Sequence, residues 1–349
     1  MRILFLPGSA TSPSARFRLL QFVEPLQRAG HEVVVRVVQP DRMWQPDRQH
    51  RLSQVITQRW QAVQHVVNGV QSIRDADDFD VIMMNRDIIP ETSVTFLEPL
   101  LARRNPRIIF DFDDAIHVGV RAPKMAKILP LYAHVTPGNP FLAAYARTLN
   151  QQVTILPTVV DTDQYAVAAQ RPPGKLRIGW SGSSYTGKAM LPLLEGIITT
   201  LAQRHDFEFI IISNTDPGIR WQGVQMRYIP WTEATEVEML QWIDIGLMPL
   251  RDDVFERGKC GLKAIQYMAV GTPAIVSPVG VNVDVVRDGE TGYHASSDEA
   301  WIAHIERLMQ DSALRAQLGA QARTHVEQHY SITSLMPTMT AIFHKVAGR

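Results

Sequence analysis

Cysteine is almost absent from this chain. Cys260 is the one thiol among 349 residues, which leaves no partner for an internal disulfide and fits a reducing compartment. It sits among Lys259 and Lys263, neighbours that favour a thiolate; a small residue filling a tight turn also accounts for it. An excess of either charge is lacking too. The 35 Lys and Arg balance the 35 Asp and Glu, so bulk electrostatics do not point to nucleic acid. No run is long and apolar enough to span a bilayer. The opening Met1-Arg2-Ile3-Leu4-Phe5-Leu6-Pro7-Gly8 has no signal-peptide core and reads as a first strand, so the expected location is the cytoplasm. No strand is followed by G-x-G-x-x-G, which argues against a dinucleotide oxidoreductase. Short repeats and low-complexity tracts are missing.

What is present is apolar strand and helix in alternation, twice over. In the first half, strands are expected at Ile3–Leu6, Glu32–Val38, Val81–Met84, Ile108–Phe110 and, closing the domain, Val153–Leu156. Helices are expected from about Ser14 to Ala29, along a pattern from Leu52 to Val70, and from Glu91 to about Arg103. A segment with Pro172, Pro173 and Gly174 reads as a hinge. The second half restarts with strands at Leu176–Trp180, Glu208–Ile212, Gln225–Ile229, Ile245–Met248 and Ala274–Ser277. Between them lie helices at Met190–Arg204 and Glu233–Trp242, and three helical patterns follow to Val346. Continuous apolar strands between helices predict parallel sheets covered on both faces. The length suits two domains, read here as 1–165 and 166–330, with a final helix over 331–349.

Gly258–Gly280 (GKCGLKAIQYMAVGTPAIVSPVG) is the most informative stretch. A basic glycine loop opens a helix packed by Leu262, Ile265 and Met268, and Gly271-Thr272-Pro273 ends it. Unpaired N–H groups and the positive end of the helix dipole, with Lys259 and Lys263 beside them, make a site for an anion such as a diphosphate. The plainer alternative is a surface loop before a buried helix.

The segment resembles the signature region of family-four retaining nucleotide-sugar glycosyltransferases, in which E-x7-E runs into E-A-M-A-x-G-x-P-V-V. Gln266-Tyr267-Met268-Ala269-Val270-Gly271-Thr272-Pro273 keeps the tail. Gln266 stands for the second glutamate and Gly258 for the first, and the K-C-G-x-K opening with Q-Y-M-A is similar to a branch of that family. The resemblance is carried by residues 250–295. It implies the GT-B fold: two Rossmann-like, doubly wound α/β domains facing a cleft, with the chain's last helix crossing back to the first domain. That helix finishing the second domain's own core is the alternative.

The activity implied is transfer of a sugar, with retention, from a UDP- or GDP-sugar to a glycan or glycolipid acceptor. No metal or other cofactor is implied, nucleic acid is not a partner, and peripheral membrane association fits some relatives. A nucleotide-sugar-binding subunit without turnover, or an epimerase on the same frame, are the competing readings.

Ligands in open parallel sheets sit beyond the carboxyl ends of the strands. Gly182, Ser183 and Lys188 follow the first strand of the second half and would approach phosphate. Trp231 would stack on the base or fill a core. Lys259, Lys263 and the amides of Gly261 and Leu262 would meet the diphosphate, and Gln266 the ribose. In the first half, Gly8 and Ser9 begin a loop with Arg16 and Arg18 behind it, expected on the acceptor or sugar side with Asp111 and His117. Asp113 falls where the family places a histidine near the donor sugar, so Asp113 and Lys259 are the candidate catalytic residues. Strand alternation would put Asp111 and Asp113 on one face and Asp114 on the other, which argues against a three-carboxylate metal site. Helix capping is the plainer role for Asp113 or Asp114.

Overall fold

The computed structural model of the chain describes residues 1–38, 67–89, 94–169 and 173–349. Most of the pattern from Leu52, the expected helix start at Glu91, and Pro172 of the expected hinge lie outside those residues. The chain forms two compact units, Met1–Thr158 with Leu335–Arg349, and Val159–Ser334.

The first unit is built on a five-stranded sheet of β1 (Arg2–Pro7), β2 (Glu32–Val35), β3 (Val81–Asn85), β4 (Ile108–Phe112) and β5 (His134–Pro137), in the order β2-β1-β3-β4-β5. Every pairing is parallel. β3, β4 and β5 are buried along their whole length, as expected for strands covered on both faces. The closing strand is β5, not Val153–Leu156. Val153 makes an isolated bridge to Val135, while Thr154 and Leu156 donate to the carbonyls of Val135 and Pro137.

The expected helix from Ser14 to Ala29 is broken into Pro13–Arg18, a 3-10 turn Leu20–Phe22 and Val23–Arg28. Pro25 is the reason: it has no N–H for the carbonyl of Gln21, and its ring crowds that carbonyl. Gln21 turns its side-chain amide back to the carbonyl of Phe17 at 2.6 Å. The final helix, Ile332–Ala347, carries Leu335, Met339, Ile342 and Phe343 on one buried stripe. Phe343 packs 6.4 Å from Phe5 of β1, in the core of the first unit.

The second unit holds a six-stranded parallel sheet of β6 (Leu176–Ser181), β7 (Phe207–Ser213), β8 (Met226–Pro230), β9 (Ile245–Met248), β10 (Ala274–Val276) and β11 (Gly292–His294). Its order is β11-β10-β9-β6-β7-β8. The helix expected from Met190 to Arg204 begins earlier, at Ser184 under the Ser183 cap, and Pro192 divides it into Ser184–Met190, a 3-10 turn and Glu195–Ala202. Among the described residues no helix is long and apolar enough to cross a membrane.

Tyr267 of the helix Leu262–Ala269 lies flat on the sheet because β9 offers it a residue with no side chain. A Cβ on Gly246 would stand 2.4 Å from the Tyr267 ring. Gly246→Ala should therefore destabilise the second unit by about 1–3 kcal/mol through overpacking, measured by urea unfolding; a variant as stable as wild type would show the ring free to move.

Candidate functional site

The carboxyl ends of β6, β9 and β10 converge on the start of the helix Leu262–Ala269. Gly261 caps that helix with φ 71°, a left-handed turn that suits glycine, and no side chain bonds to the cap. The first intrahelical bond runs from Ile265 N–H to the Gly261 carbonyl, so the helix start presents donors with the dipole's positive end behind them. On the β6 side, the Lys263 stem lies across Gly182: a Cβ there would meet Lys263 Cε at 2.6 Å. The Lys263 ammonium sits 5.6 Å from the Trp180 ring centre. On the β10 side, a Cβ on Gly280 would strike the Arg257 carbonyl at 2.8 Å, and Ser277 Oγ accepts from Leu250 N–H at 3.0 Å. Tyr267, buried and with its ionisation pushed up by that burial, accepts the Ser181 N–H at 2.7 Å. The structure thus brings together Gly182, Lys259, Gly261, Leu262 and Lys263.

Lys259 is largely buried and forms an ion pair with Glu256, itself buried. The sequence reading missed Glu256. It stands two positions before Gly258, and its charge beside a basic loop was the available signal. Ser183 is exposed and caps the next helix, accepting from Thr186 N–H. Lys188 is exposed and lies in the last turn of that helix, not at its start. The negative end of that helix's dipole favours a lysine at this position. Cys260 is buried, as a turn filler is.

Gln266 and Trp231 meet in one hydrogen-bonded cluster around Glu236. Gln266 is buried, and its amide nitrogen reaches Tyr165 Oη at 3.0 Å and Glu236 Oε1 at 3.1 Å. Glu236 also accepts from Tyr165 Oη at 2.5 Å and from the Trp231 indole N–H at 2.9 Å. The donor group expected on ribose is committed to this buried knot. Trp231 is half-buried and pinned by it, neither a core residue nor a loose ring.

In the first unit, Asp111 is corrected from a ligand contact to a structural residue. It is 0% exposed and accepts Arg18 Nε at 3.0 Å and Nη2 at 2.5 Å, Asn85 Nδ2 at 3.0 Å and Thr136 Oγ1 at 2.8 Å. Both oxygens are filled, and Arg18 is buried with it. β4 ends at Phe112, so alternation does not extend to Asp113 and Asp114; both reach the Arg86 guanidinium. Burial pulls the Arg86 pKa down, but the two carboxylates outweigh it and raise the value. Among the described residues no group of three or more His, Cys, Asp or Glu is arranged to hold a metal ion.

Gly8 is buried after β1, and Ser9 Oγ lies 3.3 Å from Thr11 Oγ1. The Arg16 guanidinium covers the Phe17 ring at 4.7 Å. His117 stacks on Tyr145 at 4.2 Å, and burial lowers its pKa. His134 and Thr136 belong to β5, and Asn139 caps the helix Pro140–Arg147.

Two parallel-sheet α/β units in this order are the GT-B fold. The Rickettsia africae glycosyltransferase superposes with a TM-score of 0.73 over 99% of this chain and 98% of that one, at 12% identity. Anabaena HepE in complex with UDP does so at 0.64 over 99% and 100%, also at 12% identity.

Residues 175–311 match the family described as Glycosyl transferases group 1. A D-inositol 3-phosphate glycosyltransferase of Corynebacterium aurimucosum is 33% identical over 94 residues, 26% of this chain. The match spans 21% of that relative's length.

Replacing Gln266 by glutamate would put a carboxylate where Glu236 now meets a donor. Two buried like charges at that distance share a proton rather than both ionise. Gln266→Glu should thus track wild-type stability in acid. It should fall behind as pH rises above the ordinary carboxylate value of about 4.3, by roughly 2–4 kcal/mol at neutral pH, since each pKa unit is worth about 1.4. Urea unfolding at pH 4 and pH 8 checks this; an equal deficit at both would refute the shared proton.

Proposed function

We propose that the chain is a retaining glycosyltransferase that moves a sugar from a nucleoside diphosphate sugar to an acceptor hydroxyl, in surface polysaccharide or glycolipid synthesis. The observation that carries this reading is the start of the helix Leu262–Ala269, where the left-handed Gly261 cap takes no side-chain hydrogen bond, flanked in sequence by Lys259 and Lys263, with Gly182 and the Lys263 stem against each other. Backbone donors fixed by a left-handed glycine are preorganised for a diphosphate and need no rearrangement as charge develops on it. Lys259 would exchange the Glu256 carboxylate for phosphate oxygen. The bond from the anomeric carbon to the phosphate oxygen breaks, the acceptor oxygen attacks from the same face, and its proton passes to the departing phosphate. That step needs no protein nucleophile. The N–H groups and lysines supply positive charge, so the reading has no place for a metal.

HepE was captured with UDP, which puts uracil nucleotides first among donors to try. Screening UDP, GDP and their sugars for a rise in melting temperature tests the reading directly, since ligand binding adds to stability by mass action. No stabilisation by any of them would end it, and stabilisation without transfer or donor hydrolysis would favour a binding subunit.

Lys259→Ala should weaken nucleoside diphosphate binding by ~1.5–3 kcal/mol, the worth of a charged hydrogen bond, and should also lower the unfolding midpoint, because the buried Glu256 carboxylate loses its partner. Titration calorimetry measures it, and unaltered affinity would remove Lys259 from the phosphate. Transfer should persist in EDTA; loss restored by Mn²⁺ would establish a metal requirement.

A further inference from the structure

The signature loop carries a buried charge of the wrong sign for an anion site. Glu256 stands three residues before Lys259, and its Oε2 meets the Lys259 ammonium. The carboxylate side chain is 6% exposed and the lysine side chain 18%. A negative charge so placed opposes any phosphate brought to the same lysine.

The backbone builds this contact in. Asp253 caps the turn Val254–Arg257 by accepting the Glu256 N–H at 2.9 Å. The Lys259 N–H then donates to the Glu256 carbonyl at 3.1 Å, and the Gly258 N–H to the Phe255 carbonyl at 3.1 Å. Gly280, tight against the Arg257 carbonyl, holds the turn in place. The Phe255 ring, from the same turn, has its centre 5.9 Å from the Lys259 ammonium.

The neighbouring pair shows the contrast. Arg257 meets Asp252, and both side chains are exposed, so water solvates either one when the pair opens. Glu256 has little water to turn to. Buried, it keeps a cation or stands uncompensated at a cost. A ligand that draws Lys259 away therefore works against Glu256.

We propose that Glu256 is a competitor built into the donor site. Its carboxylate holds Lys259 until the diphosphate takes the lysine, and recovers it as the nucleotide product leaves. This rests on the transfer reading above. Two consequences follow from the chemistry of the exchange. A ligand must offer Lys259 a stronger anionic partner than a carboxylate, which selects for a diphosphate over singly charged anions. The hold on product is also weakened, and affinity differences of this kind lie mostly in dissociation.

Glu256→Gln removes the competing charge and keeps the shape. On the full chain, titration calorimetry gives UDP and GDP affinities, and stopped flow with fluorescent UDP and GDP gives dissociation rates. Whichever nucleotide binds wild type should bind Glu256→Gln roughly three- to tenfold tighter, through slower dissociation. The gain should shrink in a Lys259→Ala background, where there is no lysine to exchange. Glu256→Asp, with its carboxylate drawn back by one methylene, should fall between wild type and Glu256→Gln.

Weaker binding by Glu256→Gln would make Glu256 a residue that sets Lys259 up for phosphate, and would overturn the proposal. An equal gain with and without Lys259 would overturn it too, since plain repulsion of phosphate would then suffice. If Glu256→Gln does not fold, Glu256→Asp decides, and wild-type affinity in that variant sinks the competitor. Nucleotide binding with no gain in Glu256→Gln defeats this proposal alone. No binding of UDP or GDP by wild type ends the transfer reading, and the competitor with it.

Discussion

One hydrogen bond organises the second unit: the Tyr267 hydroxyl receiving the Ser181 N–H at 2.7 Å. It crosses β9 at Gly246, the position where any side chain would collide with the ring. Through it the helix Leu262–Ala269 is fixed to the end of β6, and the loop at Gly182 is held beside the Lys263 stem. Anion recognition by backbone donors demands such fixity, since N–H groups have no side-chain freedom with which to adapt. The position of the helix therefore decides where its start is presented. Its other edge is set by Gly280 against the Arg257 carbonyl, which leaves the intervening loop little room to swing.

The first unit solves a similar problem with buried charge. Arg18 and Asp111 are both out of solvent, and isolated charges there would cost several kcal/mol each. The pair is tolerated because further groups finish the hydrogen bonding: Asn85 and Thr136 donate to Asp111, while the Leu156 carbonyl accepts from Arg18. The network joins the helix Pro13–Arg18 to β3, β4 and β5. Neighbouring Lys124 serves two carboxylates at once, Asp87 and Glu98. Such ion pairs are weak arguments for stability, but removing one partner would leave the other buried and uncompensated, and they stand at the strand ends beside Arg86, Asp113 and Asp114.

Much of this was legible in the sequence, for physical reasons that differ by element. β1, β3, β6, β7 and β9 are apolar runs bounded by polar residues, and burial on both faces leaves that mark. β5 escaped because His134-Val135-Thr136-Pro137 alternates with polar side chains that are nonetheless buried inside the unit, His134 Nε2 against Thr154 Oγ1 and Thr136 Oγ1 donating to Asp111. β11 is three residues long and begins with glycine. The signature helix was legible because its glycines and lysines answer to local chemistry. Arg86 was not, since a turn after an apolar strand does not reveal its φ of 69°, and the residues that force it, Asp111 through Asn85 and Lys124 through Asp87, are distant in sequence. Helix breaks at Pro25 and Pro192 were readable in principle; the apolar spacing through them outweighed the missing N–H.

The departure at position 266 has a physical logic of its own. Where the resembling family carries a glutamate, this chain carries an amide, and its nitrogen lies 3.1 Å from the Glu236 carboxylate. The exchange is not neutral. Glu236 draws Tyr165, Trp231 and Gln266 onto itself, all uncharged donors, so a buried carboxylate is solvated by side chains rather than by a cation. A second carboxylate at 266 would unmake that arrangement, whereas the amide's two N–H bonds complete it. The amide at 266 and the carboxylate at 236 thus form one hydrogen-bonded unit with Tyr165 and Trp231.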